Sequence, residues 1–150
     1  MRRMALNVTG LFLLLFIAGS VSRAQTARTG FATPLSEVKF EGDDTKCLKS
    51  ATENGNPEKG PSTFILKASP GCVVPWHYHT AEEQLIVVQG DVLTEMEGMS
   101  GRQMGVGGFA MMPSRAKHQF SCKSKDECIL FVTFDRKYDI VWVKDADKPK

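Results

Sequence analysis

The sequence predicts an all-β fold, a β-sandwich or barrel in a single domain, and three observations carry this prediction. Short segments rich in β-branched and aromatic residues alternate with turns that contain glycine or proline. No window shows a sustained 3.6-residue hydrophobic period, so no long amphipathic helix is expected. The chain has 150 residues, which suits one domain, and contains no repeat of solenoid length.

A signal peptide is predicted for residues 1–24, ahead of the β domain. Arg2 and Arg3 provide a positively charged start, residues 11–18 an apolar core, and Ser22-Arg23-Ala24 a small-x-small cleavage site. The apolar core is too short to span a bilayer comfortably, so cleavage is favoured over an uncleaved anchor. We therefore expect an exported protein, periplasmic or extracellular, with no membrane attachment after cleavage.

The charge of the chain gives no indication of a nucleic-acid partner. The full sequence has a formal net charge of +2, and residues 1–24 contain three arginines and no acidic residue or lysine, so their removal leaves −1. A nearly neutral domain offers no basic surface for nucleic acid or for an anionic membrane. We expect neither partner.

Two segments are predicted to flank the β domain. Residues 25–36 contain threonines, a glycine and a proline without periodic hydrophobicity, and we interpret them as a flexible arm or as a strand that pairs with a partner subunit. Residues 144–150 form a charged tail that we expect to be frayed. The β domain itself is assigned to residues 37–143.

Within the β domain the pattern predicts nine or ten short strands, which is enough to close a small jelly roll. Residues 53–62 are dense in turn formers and predict a loop, and the five glycines of residues 98–108 are too many for a regular element. One strand runs through His77 and His79. The others are predicted at residues 38–40, 45–51, 63–68, 84–88, 91–97, 109–112, 117–122, 128–134 and 138–143.

The three histidines of the chain are the candidate functional residues. His77 and His79 lie on the same face of a strand because side chains alternate with period two. Glu83 follows four residues later, where the chain can turn back to the same side, and His118 comes after a second glycine-rich turn. Three imidazoles and a carboxylate are a set that holds a divalent metal with positions left open. On its own, however, His-x-His is often a pair of surface histidines.

The spacing around these residues resembles the cupin superfamily. Its first motif is Gly, five residues, His-x-His, three or four residues, Glu, six residues, Gly, and every term is present at Gly71, His77, His79, Glu83 and Gly90. Its second motif is matched in part, by a set of three residues at the expected intervals: Gly107, Pro113 and His118. The departures are Arg115 in place of the second glycine and Cys122 in place of the asparagine.

The resemblance implies the cupin double-stranded β-helix, a jelly-roll barrel, with one divalent transition metal at its mouth. The ligands would be His77, His79, Glu83 and His118, a set that tolerates Fe, Mn, Zn, Ni, Co or Cu and therefore does not identify the ion. One or two coordination positions would stay open for water or substrate. The expected pocket lining is a set of apolar side chains: Phe109, Met111, Phe120 and Phe131.

Further roles at the site are predicted for three polar residues. Each ligating histidine needs an acceptor for its other ring nitrogen, and Gln84, Thr80 or a backbone carbonyl can provide it. Gln84 replaces Glu83 as the ligand in an alternative reading. Arg115 stands where glycine supplies a backbone conformation that a Cβ disfavours, so the turn is expected to strain or to differ. Its side chain either projects over the mouth to bind an anionic group or is solvated.

The four cysteines of an exported domain favour two disulfides, for which the sequence permits three connectivities. Cys122 and Cys128 flank a five-residue polar turn, so a bridge across that hairpin is expected. Cys47 and Cys72 would then form the second bridge. A thiolate ligand from Cys122 is the alternative, which oxidation would remove.

Three classes of function follow from the resemblance. The first is a metal-dependent enzyme with dioxygenase-, isomerase- or decarboxylase-like chemistry on a small organic molecule, with Glu83 doubling as a base. The second is a module that binds a small molecule or a metal without turnover. The third is a structural or seed-storage-like role, which one short exported domain disfavours. We favour the enzyme over the binding module, and a homodimer is a further expectation from the resemblance.

Overall fold

The computed structural model describes residues 29–42 and 45–149. The chain divides into two compact units, Met1–Ala32 and Thr33–Lys150. The described part of the first unit, residues 29–32, has no regular secondary structure. The signal peptide predicted for residues 1–24 and the first four residues of the predicted arm lie outside the described residues, so both remain predictions.

The described part of the second unit is almost entirely β-structure, with two single-turn 3₁₀ helices at Leu35–Glu37 and Asp145–Asp147. Its eleven strands are β1 (Glu41–Gly42), β2 (Leu48–Gly55), β3 (Ser62–Ala68), β4 (Val73–Tyr78), β5 (Glu83–Gln89), β6 (Val92–Met96), β7 (Arg102–Met104), β8 (Phe109–Met112), β9 (His118–Cys122), β10 (Cys128–Phe134) and β11 (Val141–Trp142).

The strands form two antiparallel sheets. The first has six strands in the order β1-β2-β3-β10-β5-β8, and the second has five in the order β11-β4-β9-β6-β7. Neighbours in the first sheet are distant in sequence, since β10 pairs with both β3 and β5. This arrangement confirms the predicted all-β jelly-roll fold.

The core lies between the two sheets and follows the period-two alternation of the strands. On β10 the side chains of Leu130, Val132 and Phe134 are buried, whereas Phe131 between them is 39% exposed. Val87 and Val92, on β5 and β6, are completely buried. Alternation therefore gives the long central strands an inner face that packs in the core and an outer face.

Several strand predictions need correction. Residues 102–104 form β7 although the surrounding glycines predict no regular element, because β7 pairs with β6 through Leu93 and Gln103. Residues 38–40 are not a strand, β2 extends to Gly55 into the predicted loop, and residues 138–143 contain only the two-residue β11. Pairing with another strand decided the case of β7, and a single-sequence pattern does not contain that information.

Both disulfides join the pairs that the sequence analysis favours. Cys122 and Cys128 bridge the hairpin between β9 and β10, with their Cα atoms 5.8 Å apart. Cys47, just before β2, is bonded to Cys72, just before β4, with a Cα separation of 5.4 Å. The second bridge therefore ties the six-stranded sheet to the strand that carries His77, and Cys122 is not a free thiolate.

Candidate metal centre

The four candidate ligands come from three strands in both sheets. His77 lies on β4 directly opposite His118, the first residue of β9, in the antiparallel register. His79 follows the end of β4, and Glu83 begins β5 in the other sheet. The register of β4 shifts between Val74 and His77, so both of these side chains are buried although they are three residues apart. The shift aims His77 into the interior.

The side chains of these residues converge in the core. All four are buried, with 3–7% of their surface exposed, and one ligand atom from each lies within 4.8 Å of the others. Glu83 Oε2 is 3.1 Å from His118 Nε2 and 3.2 Å from His79 Nε2. Two atoms that each lie about 2.1 Å from one ion are at most about 4.2 Å apart. A small contraction of the cluster therefore brings all four atoms into coordination distance.

Backbone carbonyls hold all three imidazoles in the same tautomer. His77 Nδ1 donates to Pro75 O at 2.6 Å, His118 Nδ1 donates to Ala116 O at 2.9 Å, and His79 Nδ1 donates to Asp139 O. A histidine whose Nδ1–H is bound to a carbonyl presents the lone pair of Nε2 to a metal. Of the acceptors expected for the second ring nitrogen of each histidine, the structure therefore contains the backbone carbonyls.

The protonation of the cluster also fits a set of ligands. Burial, with the nearby charge of His118, lowers the pKa of His77 to about 4, so this imidazole is neutral at pH 7. Burial alone would lower the pKa of His79, but the close approach of the negatively charged Glu83 carboxylate to Nε2 outweighs it and raises the pKa. Burial would raise the pKa of Glu83, yet contacts from His118 and His79 hold it well below its ordinary value. Glu83 is therefore an ionised carboxylate.

Two atoms of the cluster have no hydrogen-bond partner. Glu83 Oε2 and His118 Nε2 are fully buried, and their short approach lacks hydrogen-bond geometry. A buried polar atom without a partner costs about 1–3 kcal/mol, more when it is charged. Nitrogen lone pairs and a carboxylate oxygen that face one another repel unless a cation or a proton lies between them. The donor set and the two unpartnered atoms thus fit a divalent transition metal.

The structure places one of the four residues predicted to line the pocket, Phe120, in the wall of a cavity and the other three outside it. A cavity of about 220 Å³ opens beside the four candidate ligands, and Phe120 lines it. Phe109, Met111 and Phe131 are instead 56%, 41% and 39% exposed, and none of them lines the cavity. Their neighbours in sequence, Met112 and Leu130, do so. These strands carry apolar residues on both faces. Alternation alone therefore does not say which of the two faces is buried.

Gln84 is not part of the site. Its side chain is exposed on the outer face of β5 and donates to Glu82 Oε1, because it follows the inward-facing Glu83 directly. The interpretations of Gln84 as an acceptor for a histidine or as a replacement ligand are therefore wrong.

Arg115 supports the site through its backbone. It is the only described non-glycine residue with a positive φ, at 66°, so the turn keeps the conformation that glycine supplies in the motif. Its backbone N–H donates to His79 O at 2.8 Å, and its side chain is exposed and does not line the cavity. The structure thus contains the strained turn, and the solvated side chain of Arg115 lies outside the cavity wall.

The sequence analysis missed the contribution of residues 138–142. Tyr138, Ile140 and Trp142 line the cavity, with the ring centroids of Trp142 and His77 5.4 Å apart. Asp139 binds Thr80 through both carboxylate oxygens, at 2.7 Å from Thr80 N and 2.8 Å from Thr80 Oγ1, while its carbonyl holds His79. The aromatic and aliphatic residues at 138, 140 and 142 alternate with period two, and this pattern could have indicated that they share one face.

Comparison with known families decides what kind of fold surrounds this site. The family model described as a cupin domain matches residues 64–134, which contain all four candidate ligands. The chain belongs to the cupin superfamily. The match spans β3 to β10 and leaves out β11, so Tyr138, Ile140 and Trp142 come from a part of this cupin beyond the matched domain.

Solved structures confirm the cupin fold. KdgF from Halomonas sp. is similar with a TM-score of 0.60 and 21% identity, over 72% of this chain and 96% of that one. The polyketide cyclase RemF from Streptomyces resistomycificus is similar with a TM-score of 0.66 and 17% identity, over 78% of this chain and 89% of that one. An RmlC-like cupin from Shewanella frigidimarina NCIMB 400 has a TM-score of 0.60 and 20% identity, over 71% of this chain and 91% of that one. At these identities the likeness establishes the fold alone, and no protein with a curated description matches the sequence significantly.

Two findings bear on the compartment in which this cupin works. Its two disulfides are typical of an oxidising environment, since cytosolic thiols are kept reduced. Within residues 29–42 and 45–149, no helix has the length and apolar character needed to cross a bilayer.

Proposed function

We propose that this cupin is an exported, metal-dependent enzyme that acts on a small organic molecule with dioxygenase- or isomerase-like chemistry. The observation that carries the proposal is the buried pair of unpartnered atoms, Glu83 Oε2 and His118 Nε2, within a cluster of four potential ligands. The cluster opens onto a cavity, so a metal held there would be accessible to a substrate. Among the solved structures of similar fold are an oxalate oxidase and a DMSP lyase from Ruegeria pomeroyi, which are enzymes.

The protein's contribution to such chemistry is orientation and exclusion of water. A bound divalent metal would act as a Lewis acid on a substrate oxygen or, if redox-active, would activate oxygen. The carbonyls of Pro75, Ala116 and Asp139 fix the three imidazoles, and the apolar cavity walls keep the surroundings at low polarity. Electrostatic interactions in such an environment are stronger than in water.

Glu83 is the proposed catalytic residue in addition to being a ligand. A carboxylate has two oxygens, so one can remain a ligand while the other accepts a proton from a substrate. Its neighbours His79 and His118 lie within 3.2 Å of the same oxygen, which leaves the proton-accepting role to the second oxygen.

A binding module without turnover is the second candidate function. It is favoured by the lining of the cavity: Glu83 is the one acidic residue in it, and no lysine or arginine of the described residues reaches it. If Glu83 is fully engaged by the metal, no other carboxylate and no lysine of the described residues remains as a general acid or base next to a bound molecule.

The export of the protein and a homodimer are also proposed. The two disulfides and the signal-peptide pattern of residues 1–24 support a periplasmic or extracellular location. A dimer is supported by an apolar row on the outer face of the six-stranded sheet, in which Ile65, Phe131, Ile86 and Phe109 are register partners on four adjacent strands. Three of these four residues are more than a third exposed.

Metal analysis of protein purified after native export tests the first proposal. We expect about one transition-metal ion per chain in the wild type and much less in Glu83→Ala, with Glu82→Ala as the matched control because Glu82 is the neighbouring glutamate that lies outside the cavity. Oxygen uptake is then screened with small phenols and carbonyl compounds. Metal without turnover on any compound would favour the binding module, and equal metal content in all three proteins would contradict the metal site.

A further inference from the structure

The three imidazoles of the candidate metal centre are held in two different ways. His77 and His118 each donate to a carbonyl two residues earlier in the chain, so the local backbone fixes both rings. The acceptor for His79 is Asp139 O, which belongs to a residue 60 positions later. His79 also follows Tyr78, the last residue of β4, so it lies outside the strand pairing that fixes His77. The position of the His79 ring therefore depends on contacts with other segments.

The carboxylate of Asp139 binds the residue that follows His79. Its Oδ1 accepts from Thr80 N at 2.7 Å, and its Oδ2 accepts from Thr80 Oγ1 at 2.8 Å. The carbonyl of Asp139 accepts from His79 Nδ1, so one residue holds His79 and Thr80 through three contacts. Hydrogen bonds to an ionised carboxylate are stronger than those between neutral groups. The carboxylate of Asp139 thus keeps its own carbonyl in place beside the imidazole.

The turn that precedes β9 binds the main chain of the same two residues. Arg115 N donates to His79 O at 2.8 Å, and Ser114 Oγ donates to Thr80 O at 2.7 Å. These two contacts fix the backbone at residues 79–80, and both acceptors are main-chain carbonyls. The orientation of the His79 ring about its side-chain bonds is therefore set by other groups.

The imidazole of His79 packs against two aromatic rings. Its centroid is 4.9 Å from that of Phe134 and 5.4 Å from that of Tyr138. Such packing restricts the plane of the imidazole, but a half-turn flip keeps the shape of the ring and exchanges its nitrogen and carbon positions. The contact between Nδ1 and Asp139 O distinguishes the two orientations. Only the observed one directs Nε2 toward Glu83 Oε2, 3.2 Å away.

Asp135 makes a comparable contact with the same connection between β4 and β5. Its Oδ1 accepts from Glu82 N at 2.9 Å, and its carboxylate also pairs with the adjacent, exposed Arg136. Both aspartates follow β10, and each binds a backbone N–H of that connection. Of the two, Asp139 is the one whose carbonyl binds an imidazole. Asp135 is therefore a matched control for the loss of a carboxylate at this connection.

We propose that Asp139 and Thr80 are positioning residues of the metal centre, which hold His79 in the orientation that directs Nε2 to the ion. Without their contacts the flipped ring would also be populated, and the metal would lose part of one donor. The matched cupin domain ends at residue 134, so Asp139 provides this support from outside it. The inference rests on the metal site of the proposed function and adds two residues that act through His79.

Zinc affinity, measured by competition with a chromogenic chelator, tests the proposal. Asp139→Ala removes both carboxylate contacts and is expected to weaken zinc binding by about 10–100-fold, the usual cost of losing an outer partner of a ligand. Thr80→Val removes one hydrogen bond with little change of shape and is expected to weaken it by about three- to tenfold. Thr80→Ser keeps the hydroxyl and should retain the wild-type affinity. Asp135→Ala should also retain it.

The visible spectrum of the cobalt(II)-loaded protein separates positioning from a general loss of stability. The d–d bands of cobalt respond to the donors and their geometry, so they should change in Asp139→Ala and in Thr80→Val. They should stay as in the wild type in Thr80→Ser and in Asp135→Ala. Urea denaturation of the metal-free variants measures stability separately. Lower stability of Asp139→Ala and Thr80→Val with an unchanged cobalt spectrum would overturn the proposal.

The outcomes also separate this inference from the proposed function. Zinc affinities of Asp139→Ala and Thr80→Val equal to that of the wild type overturn the positioning role while the metal site still stands. A loss in Asp135→Ala as large as that in Asp139→Ala also overturns it, because the connection as a whole would then be responsible. A wild-type protein that binds no zinc overturns the proposed function, and this inference with it.

Discussion

The two faces of the six-stranded sheet each carry residues that are unusual for their position. The inner face carries the ionised Glu83 beside Leu85, and both are buried. The outer face carries Ile86, Phe109 and Phe131, which are 41%, 56% and 39% exposed. A buried charge and an exposed apolar row are each unusual in a monomeric protein and typical of a functional surface. Both faces carry apolar residues, so hydrophobicity alone does not distinguish the interior of this sheet from its outer face, whereas the ionisable residues do.

The largest effect is expected on metal affinity, when a candidate metal ligand on the inner side of the barrel is removed. His118→Ala removes one of four donors and should weaken zinc binding by more than 100-fold, since loss of only an outer partner of a ligand costs about 10–100-fold. Competition with a chromogenic chelator measures the affinity. Phe131→Ala on the outer face is the control and should leave it unchanged. Equal zinc affinities of His118→Ala and wild type would contradict the centre.

Two adjacent residues of β10, one on each face, should contribute differently to the free energy of unfolding. Leu130 is 1% exposed, and Leu130→Ala is expected to lower the free energy of unfolding by about 2–5 kcal/mol because it leaves a cavity in the core. Phe131→Ala should cost about 1 kcal/mol, since much of that ring is in contact with solvent already. Urea denaturation at equilibrium gives both values. A larger loss for Phe131→Ala would mean that the outer face is covered by another part of the protein.

Self-association tests the outer face directly. Ile86→Lys places a charge in the middle of the apolar row and should raise the dimer dissociation constant more than tenfold, about 1.4 kcal/mol. Gln84→Lys adds the same charge on the outer face of the same strand and should have a much smaller effect. Sedimentation equilibrium measures both constants. A wild type that sediments as a monomer at every concentration would refute the dimer.

The smallest effect is expected at the turn before β9. Arg115 has a φ of 66°, a conformation that costs an L-residue about 1–2 kcal/mol and glycine almost nothing. Arg115→Gly should therefore stabilise the protein by about 1 kcal/mol, visible as a higher melting temperature. Arg115→Ala removes the same exposed side chain but keeps the Cβ, so it should give no such gain. Equal melting temperatures of these two variants would contradict the strain.

The same comparison of the two faces shows how much of the fold and of the candidate site could be predicted from the sequence. His77, His79, Glu83 and His118 could be identified because imidazoles and a carboxylate at that spacing have a specific chemistry, whichever way the strand alternates. The face on which the Phe109 and Phe131 side chains lie could not be predicted. Their neighbours Ala110 and Leu130 are also apolar, and alternation does not say which of the two sets is inside. The position of β7 depends on its pairing with β6, which no local pattern contains.

The support that Asp139 gives to the centre has a consequence for the order in which the molecule matures. Its carbonyl holds His79, its carboxylate holds Thr80, and the adjacent Tyr138, Ile140 and Trp142 close one wall of the cavity. A ribosome makes these residues after every ligand, and a chain that emerges N-terminus first can fold its earlier strands before they appear. A nascent barrel would thus carry the four candidate ligands in an incomplete site, and we expect it to retain a metal fully only after residues 138–142 have docked.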